Sequence, residues 1–546
     1  MRIGPLAPGS ACVLRTGLAA NTRDVSSVAV EIALSTQSGT TSVLEKTIAL
    51  TSEGWSELEH PISPELSSGT DLVLSTKGAP PPSPTRIGWG TPHVTCEARK
   101  ERRDPLPRPH VVLISVDTLR ADHLGVYGYD RLTSPRIDAF AREALVFDEA
   151  FTTSPWTLPA HASMLTGLYP EEHGAGHTTI FAPLEAHVET LAETLAAAGY
   201  RTVAHAGGGY VGPAYGLDRG FEEWIDRHGA TLESVLPESL AALSEIDEEP
   251  IFLFLHTYGV HAPYAHPDRH PSFEVPRSGA GGDSWRRLGE MELHRHIQLE
   301  RFDGIEGLIA TYDSSIRFVD SQLGVLFEFM QRNRLLDDTV VILTSDHGES
   351  FLERGRYISH GYTFFDEEVR IPLIVRMPGG EPAGRSNELV DSTDIGALVL
   401  EVAGIASPPP VSGRSPIARL ERRAPSRQFV RGGSAYTGGL YGRTREWKVM
   451  TEVDFNGPLG LRRPGLLLPD FAPQEQIYHV EQDLGEDRNL TSQPSRLPED
   501  VWQLRQTLGS LDRPGSGDAR GALLDRDQRR QLEALGYVDR ADPQAP

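Results

Sequence analysis

Two carboxylates and an imidazole follow two apolar, β-branched stretches of this chain. The stretch His110–Val116 is followed by Asp117, and residues 338–345 are followed by Asp346 and His347. Both stretches have the composition of strands that are buried on both faces, as in a parallel sheet. Ligands of open α/β sheets bind at the carboxyl ends of the strands. Because carboxylates and imidazole are ligands of divalent cations, the sequence predicts a metal site at this sheet edge.

The composition excludes several classes of partner. The 546 residues carry a formal net charge of −24, which disfavours nucleic acid and anionic membranes as partners. The basic cluster at 99–103 is interpreted as a solvated linker. No apolar stretch approaches the roughly 20 residues of a membrane span, and residues 1–5 lack the apolar region of a signal peptide. We therefore expect a soluble protein, either cytoplasmic or derived from a longer precursor, and leave its compartment open.

The chain is long enough for several units. Short alternating runs in residues 1–104 predict an all-β sandwich, and alternating strands and helices in 108–425 predict an α/β unit. Residues 426–515 predict a small α+β subdomain, and 516–546 a tail with a short helix. Cys12 and Cys96 would pair if the ends of the sandwich meet, but two thiols do not identify the compartment.

Three segments occur in an order that resembles a known family. They are residues 116–125, beginning Val-Asp-Thr-Leu-Arg, residues 157–167, beginning Thr-Leu-Pro-Ala-His, and the Asp-His-Gly-Glu motif at 346–349, with a later similar segment at 478–490. Together they resemble the sulfatases of the alkaline phosphatase superfamily. The resemblance implies an alkaline-phosphatase-like, mostly parallel sheet flanked by helices. It also implies hydrolysis of sulfate or phosphate esters.

The nucleophile position departs from the family pattern. Sulfatases proper have Cys or Ser there, which is oxidised to formylglycine, whereas this chain has Thr157. Threonine cannot give an aldehyde because its β-carbon carries a methyl group. The resemblance therefore implies an unmodified threonine nucleophile, as in the phosphodiesterase, phosphoethanolamine-transferase and phosphomutase branches. The alternative, in which Thr157 is a helix N-cap with Pro159 in the first turn, is compatible with this role.

The resemblance also implies a metal-binding set. We expect Asp117, Thr157, Asp346 and His347 to bind one metal. The family's second aspartate is replaced by Thr118, and the later pair is Asp-His. One carboxylate fewer and one imidazole more favour Zn²⁺ or Mn²⁺ over Ca²⁺. The number of ions, one or two, stays open.

Other polar residues match positions near the family's substrate. His161, His256 and His360 are predicted catalytic groups. One of His256, His261 and His360 would protonate the leaving oxygen; alternatively, two of these three hold a second metal. Arg120 and His261 are predicted to bind substrate. Ordinary loop histidines and a structural ion pair of Arg120 remain alternatives. Because no lysine occurs between 101 and 447, charge on the transferred group must be met by metal, arginine or histidine.

The leading hypothesis is a metal-dependent hydrolase of sulfate or phosphate esters, with a carbohydrate ester as one candidate substrate. A phosphoryl-group transferase of the same superfamily is the alternative enzyme. A non-catalytic glycan-binding protein is the alternative from another class, and the complete set of expected ligands, from Asp117 to His347, argues against it.

Overall fold

The computed structural model describes most of the chain after residue 107. The described ranges are 108–227, 231–246, 249–264, 304–353, 358–405, 408–451, 475–493 and 497–514, with Phe273, Arg530 and the backbone of seven strands before residue 97. Of the predicted helix in the tail, Arg530 alone is described, and it is helical; the rest of that helix lies outside the described residues.

The first hundred residues contain antiparallel strands, as the alternating runs predict. The seven strands are β1 (Cys12–Ala20), β2 (Ser27–Thr36), β3 (Gly39–Ala49), β4 (Ser56–Ile62), β5 (Asp71–Lys77), β6 (Ile87–Trp89) and β7 (His93–Cys96). One sheet has the order β4-β1-β6 with β7 also paired to β1, and the other has the order β3-β2-β5. The β1–β7 register places Cys12 opposite Cys96. The sandwich packing of the two sheets and the cysteine pairing stay predictions.

An eight-stranded sheet forms the centre of the α/β unit. Its strands are β8 (His110–Val116), β9 (Leu145–Phe147), β11 (Arg201–Ala206), β12 (Glu223–Asp226), β13 (Ile251–Thr257), β14 (Thr339–Thr344), β17 (Leu373–Arg376) and β18 (Gly384–Ser386). The strand order is β12-β11-β13-β8-β14-β17-β9-β18. The five strands from β12 to β14 are parallel, and β17 runs antiparallel to both of its neighbours. The predicted mostly parallel sheet is confirmed.

Helices cover both faces of this sheet. They are α1 (Pro135–Ala141), α2 (Thr157–Thr166), α3 (Pro170–His173), α4 (Leu191–Ala197), α5 (Leu232–Ser244), α6 (Ile305–Arg332), α7 (Asp366–Val369), α8 (Ser392–Val402) and α9 (Pro416–Leu420). Short 3-10 helices lie at Ala121–His123, Gly125–Tyr127, Pro213–Tyr215, Leu335–Asp337 and Pro378–Gly380.

Alternate side chains of the central strands enter two different cores. Val111 and Leu113 pack with α2, α4 and α8, whereas Val112 and Ile114 pack with α1, α5 and α6. Side chains of a strand point alternately to the two faces of the sheet, so a strand covered on both faces must be apolar throughout. This explains why β8 and β14 are recognisable in the sequence. No helix among the described residues has the length and apolarity that a bilayer crossing requires.

A smaller antiparallel sheet follows the α/β unit. It has the order β20 (Val430–Ser434), β21 (Gly439–Arg443), β22 (Trp447–Met450) and β23 (Gln476–His479), and α10 (Glu499–Gly509) packs on it through Val501 and Leu504. Two short pairs complete the described strands: β10 (Ala150–Phe151) with β19 (Val390–Asp391), and β15 (Ser350–Phe351) with β16 (Ile358–Ser359).

Candidate active site

Asp117 and Asp346 emerge side by side because β8 and β14 are adjacent and parallel. The register pairs Ser115 with Thr344, two residues before each aspartate. Both carboxylates are fully buried. The backbone N–H groups of Thr118 and His347 donate to Asp346 Oδ1 over 3.2 and 2.8 Å, which fixes the orientation of that carboxylate. Thr118 has φ of +58°, a strained conformation for a β-branched residue that occurs at the turn beside the site.

Thr157 is brought to these carboxylates by the start of α2. Its Oγ1 lies 3.4 Å from Asp117 Oδ2 and 3.4 Å from His347 Nε2, and the side chain is fully buried. The alternative in which Thr157 is the helix N-cap is wrong, because Trp156 is the N-cap and Thr157 is the first helical residue. Pro159 lies in the first turn, as predicted. The hydroxyl is therefore at a helix N-terminus, where the helix dipole favours an anion.

The tautomer of His347 places a lone pair on Nε2, the nitrogen that faces Thr157 and Asp346. Its Nδ1 lies 2.9 Å from the carbonyl oxygen of Gly348, which can only accept, so Nδ1 carries the proton. Nε2 is then the basic nitrogen, 3.3 Å from Asp346 Oδ2. Burial is the largest cause that lowers the pKa of His347 to about 4, so the ring is neutral at neutral pH.

The ligand atoms of Asp117, Asp346 and His347 lie within 4.8 Å of one another. Asp117 Oδ1 and Asp346 Oδ2 are buried without a hydrogen-bond partner among the described residues. Burial and the neighbouring charge of Asp346 raise the pKa of Asp117 well above its usual range. Two adjacent buried carboxylates that each keep one unpaired oxygen are costly unless a cation balances them. The donor set and the unpaired oxygens therefore fit a divalent cation.

His161 is held by both of its ring nitrogens. Nδ1 donates to the Thr157 carbonyl over 2.9 Å, and Nε2 is 3.0 Å from the hydroxyl of Ser115. His161 therefore ties the first turn of α2 to β8. The predicted catalytic role of His161 stays a prediction that these contacts do not favour. Ser115 did not stand out in the sequence because it lies within an apolar strand.

His256, at the end of β13, faces Asp117. The N–H of Gly207 donates to its Nδ1 over 3.2 Å, so in the neutral ring the proton is on Nε2, which is 3.5 Å from Asp117 Oδ2. Burial lowers the pKa of His256 well below its usual range. A Cβ on Gly207 would be 2.6 Å from the ring of Tyr258, so glycine is required for this approach.

His360 lies beside His347, and His261 lies beside His360. The His360 ring centroid is 4.4 Å from that of His347 and 5.1 Å from that of His261. Glu349 Oε1 is 3.1 Å from His360 Nδ1, and its Oε2 accepts from the Tyr264 hydroxyl over 2.8 Å. Burial lowers the pKa of His360 to about 4 and that of His261 to about 3, and raises that of Glu349 to about 7.

Glu349 is a site residue that the sequence reading missed. The signal was its place in the Asp-His-Gly-Glu motif, two residues after His347. Arg120, in contrast, is engaged elsewhere: its guanidinium donates to Asp122, Glu353 and the Glu349 carbonyl. These contacts are those of a structural ion pair. They do not favour substrate binding by Arg120, which stays a prediction.

Comparisons with known proteins relate this chain to a family. A family model described as "Sulfatase" matches residues 109–405, more than half of the chain. The chain is 24% identical over 319 residues to the ulvan-active sulfatase of Formosa agariphila, and the match covers 58% of each protein. It is 28% identical over 408 residues to the multifunctional alkaline phosphatase superfamily protein PehA of Trinickia caryophylli, covering 59% of this chain and 79% of PehA.

A solved structure with the same fold is the phosphonate monoester hydrolase of Agrobacterium radiobacter. It has a TM-score of 0.57 and 20% identity to this chain, covering 74% of this chain and 95% of the hydrolase. At this identity the likeness shows the fold. The predicted alkaline-phosphatase-like architecture is therefore confirmed.

Proposed function

Since this chain belongs to the sulfatase family, we propose that it is a metal-dependent hydrolase of sulfate or phosphate esters that uses unmodified Thr157 as its nucleophile. The observation that carries the proposal is the convergence of Thr157 Oγ1, His347 Nε2 and the buried carboxylates of Asp117 and Asp346, each of which has one oxygen without a hydrogen-bond partner among the described residues. Relatives named as an ulvan-active sulfatase and as a multifunctional superfamily protein support both ester classes.

We assign Asp117, Asp346 and His347, with Thr157 as the fourth ligand, to one metal. The family implies a divalent metal. Two carboxylates with one imidazole favour Zn²⁺ or Mn²⁺ over Ca²⁺, which prefers an all-oxygen set. Such an ion would lower the pKa of the Thr157 hydroxyl and balance charge on the transferred group.

The reaction then has two steps. Thr157 Oγ1 releases its proton to solvent and bonds to sulfur or phosphorus, while the bond from that atom to the alcohol oxygen breaks. The alcohol oxygen takes a proton from His360 or His256, whichever ring has first taken up a proton from solvent. Water next attacks the same central atom, which restores the threonine hydroxyl and releases sulfate or phosphate. His261 is proposed to donate to the oxygens of the transferred group.

Phosphorus esters are proposed to be the better substrates. A formylglycine sulfate hemiacetal can expel sulfate by breaking its C–O bond, but a threonine ester cannot. Water must therefore attack the central atom, and we expect this step to be more accessible at phosphorus. The absence of lysine between residues 101 and 447 removes the residues with which sulfatases usually hold sulfate.

The test is a panel of aryl phosphate mono- and diesters, a phosphonate ester and an aryl sulfate, each with Zn²⁺, Mn²⁺ or Ca²⁺. We expect turnover that Thr157→Ala abolishes and that Thr166→Ala, at the other end of α2, preserves. A higher kcat/KM for the aryl sulfate than for every phosphorus ester would refute the ranking. No turnover of any ester with any metal would refute the proposed function.

A further inference from the structure

The hairpin between β20 and β21 is fixed to the segment that precedes the nucleophile. The Gly433 N–H donates to the Thr153 carbonyl over 3.0 Å, and the Ser154 hydroxyl donates to the Gly433 carbonyl over 2.8 Å. The Ser434 hydroxyl donates over 2.6 Å to the carbonyl of Gly361, the residue after His360. The smaller sheet therefore contacts both the start of α2 and the loop that carries His360.

Tyr436, in the turn of this hairpin, lies against residues adjacent to the reacting groups. Its ring centroid is 5.1 Å from that of Trp156, in an edge-on arrangement, and Trp156 directly precedes Thr157. A Cβ on Gly361 would lie 3.2 Å from the Tyr436 ring. Gly361 has φ of +93° and follows His360, so glycine is needed there for both conformation and space.

Tyr362 adds a second ring from the catalytic unit. The Tyr362 and Tyr436 centroids are 5.2 Å apart, with the ring planes inclined by 40°. Both tyrosines keep part of their surface exposed, whereas Thr157, Trp156 and His347 are fully buried. Two chain segments thus place neutral aromatic rings at the solvent side of the buried reacting groups.

We infer that Tyr362 and Tyr436 form a subsite that binds a ring in the alcohol part of the ester, which makes the smaller sheet part of the active site. The inference rests on the proposed function. In-line displacement places the leaving oxygen opposite Thr157, and His360, a proposed proton donor to that oxygen, is two residues from Tyr362. Tyrosine rings bind flat rings by stacking or edge contacts and present large area with few rotatable bonds. The substrate class is therefore an ester of a ring-bearing alcohol.

Two phosphonates of equal charge test the subsite. Phenylphosphonate and methylphosphonate differ only in the ring, and their binding to the metal-containing full chain is measured by calorimetry at a pH where both are dianions. We expect the wild type to bind the phenyl compound about 10-fold more tightly, which corresponds to the energy of one aromatic contact with its buried area. Tyr436→Ala and Tyr362→Ala should each reduce this preference to about 2-fold and leave methylphosphonate binding unchanged.

Two further variants separate ring binding from structural packing. Tyr436→Phe should keep the preference, because the face of the ring is retained. Trp502→Ala removes a partly exposed ring from α10, which packs on the same smaller sheet, and this variant should also keep the preference for the phenyl compound. Thermal denaturation of each variant establishes that it is folded, and Tyr362→Ala provides the test if Tyr436→Ala unfolds.

Equal affinity of the wild type for the two phosphonates, or an equal loss for both in the alanine variants, would overturn the inference. The ester panel distinguishes the two failures. Turnover of esters without any ring preference refutes the subsite alone, whereas the absence of turnover refutes the proposed function and the subsite with it.

Discussion

Replacing Asp346 by asparagine should have opposite effects on the metal-free and the metal-loaded protein. The ligand oxygens of Asp117 and Asp346 are within 4.8 Å of each other, and one oxygen of each is buried without a hydrogen-bond partner among the described residues. At that separation two unit charges repel by about 3.5 kcal/mol at an effective dielectric constant of about 20. Uptake of a proton by Asp117, whose pKa is raised, relieves part of this cost.

Asp346→Asn removes the repulsion and keeps the local structure. The amide oxygen can still accept from the N–H groups of Thr118 and His347, and the amide nitrogen can donate to Asp117. We expect the chelator-treated variant to be more stable than the wild type by about 1–3 kcal/mol at pH 7. The gain should fade below about pH 4, where the aspartates are protonated in the unfolded chain too.

With metal, the variant should be less stable than the wild type, because it has lost a charged ligand of the proposed site. A metal at 100 times its dissociation constant stabilises the folded state by about 2.7 kcal/mol, and weaker binding gives less. The assay is denaturant unfolding followed by tryptophan fluorescence, with chelator, Zn²⁺ or Mn²⁺. Asp394→Asn is the matched control: Asp394 is equally buried but paired with Arg419 and Arg427, so its loss should destabilise the protein with or without metal. A chelated Asp346→Asn protein that is less stable than the wild type, with an unchanged response to metal, would refute the reasoning.

Three other variants test separate parts of the structure. Thr157→Ala should lower kcat/KM by at least about 10³-fold, and intact mass should show unmodified threonine in the active wild type; near-normal turnover would exclude it as nucleophile. Glu349→Gln, by loosening His360, should lower kcat/KM about 10²-fold for alkyl esters but less than about 10-fold for nitrophenyl esters, whose leaving group needs no proton; equal losses would argue for a general structural effect. Lys448→Met leaves the buried Glu486 and the half-buried Asp366 without their ammonium partner and should cost about 3–5 kcal/mol in denaturant unfolding, while an unchanged midpoint would show that the network is dispensable.

The sheet and the edge that carries the two aspartates were predictable because burial on both faces imposes a composition. The stretches that form β8 and β14 are buried throughout and mostly apolar, so the charged residues that follow each of them stand out. Parallel neighbours end at the same edge, and this brings Asp117 next to Asp346. Thr157 lacks such a signal. It was found through the order of motifs alone, because a threonine at the start of a helix is common.

The contacts of the loops were not predictable in the same way. Glu349 contacts Tyr264, which is 85 residues away in the sequence, and His360, which is 11 residues away. Both contacts depend on loop conformations that no periodicity encodes. The motif predicts that Arg120 binds substrate, but Glu353, which follows the short strand β15, binds its guanidinium. Similarly, nothing in the hairpin sequence around Tyr436 indicates that it lies against Trp156.

The charge balance of the site supports the proposed metal. Burial lowers the pKa values of His256, His261, His347 and His360, so these rings are neutral at neutral pH. Arg120 is occupied by Asp122 and Glu353, and no lysine occurs between residues 101 and 447. Among the described residues around Thr157, neutral N–H groups can orient an anionic ester but cannot neutralise it, and two carboxylates repel it. In the proposed function, a divalent cation held by Asp117, Asp346 and His347 would supply the missing positive charge, so substrate binding and activation of the threonine would depend on the same ion.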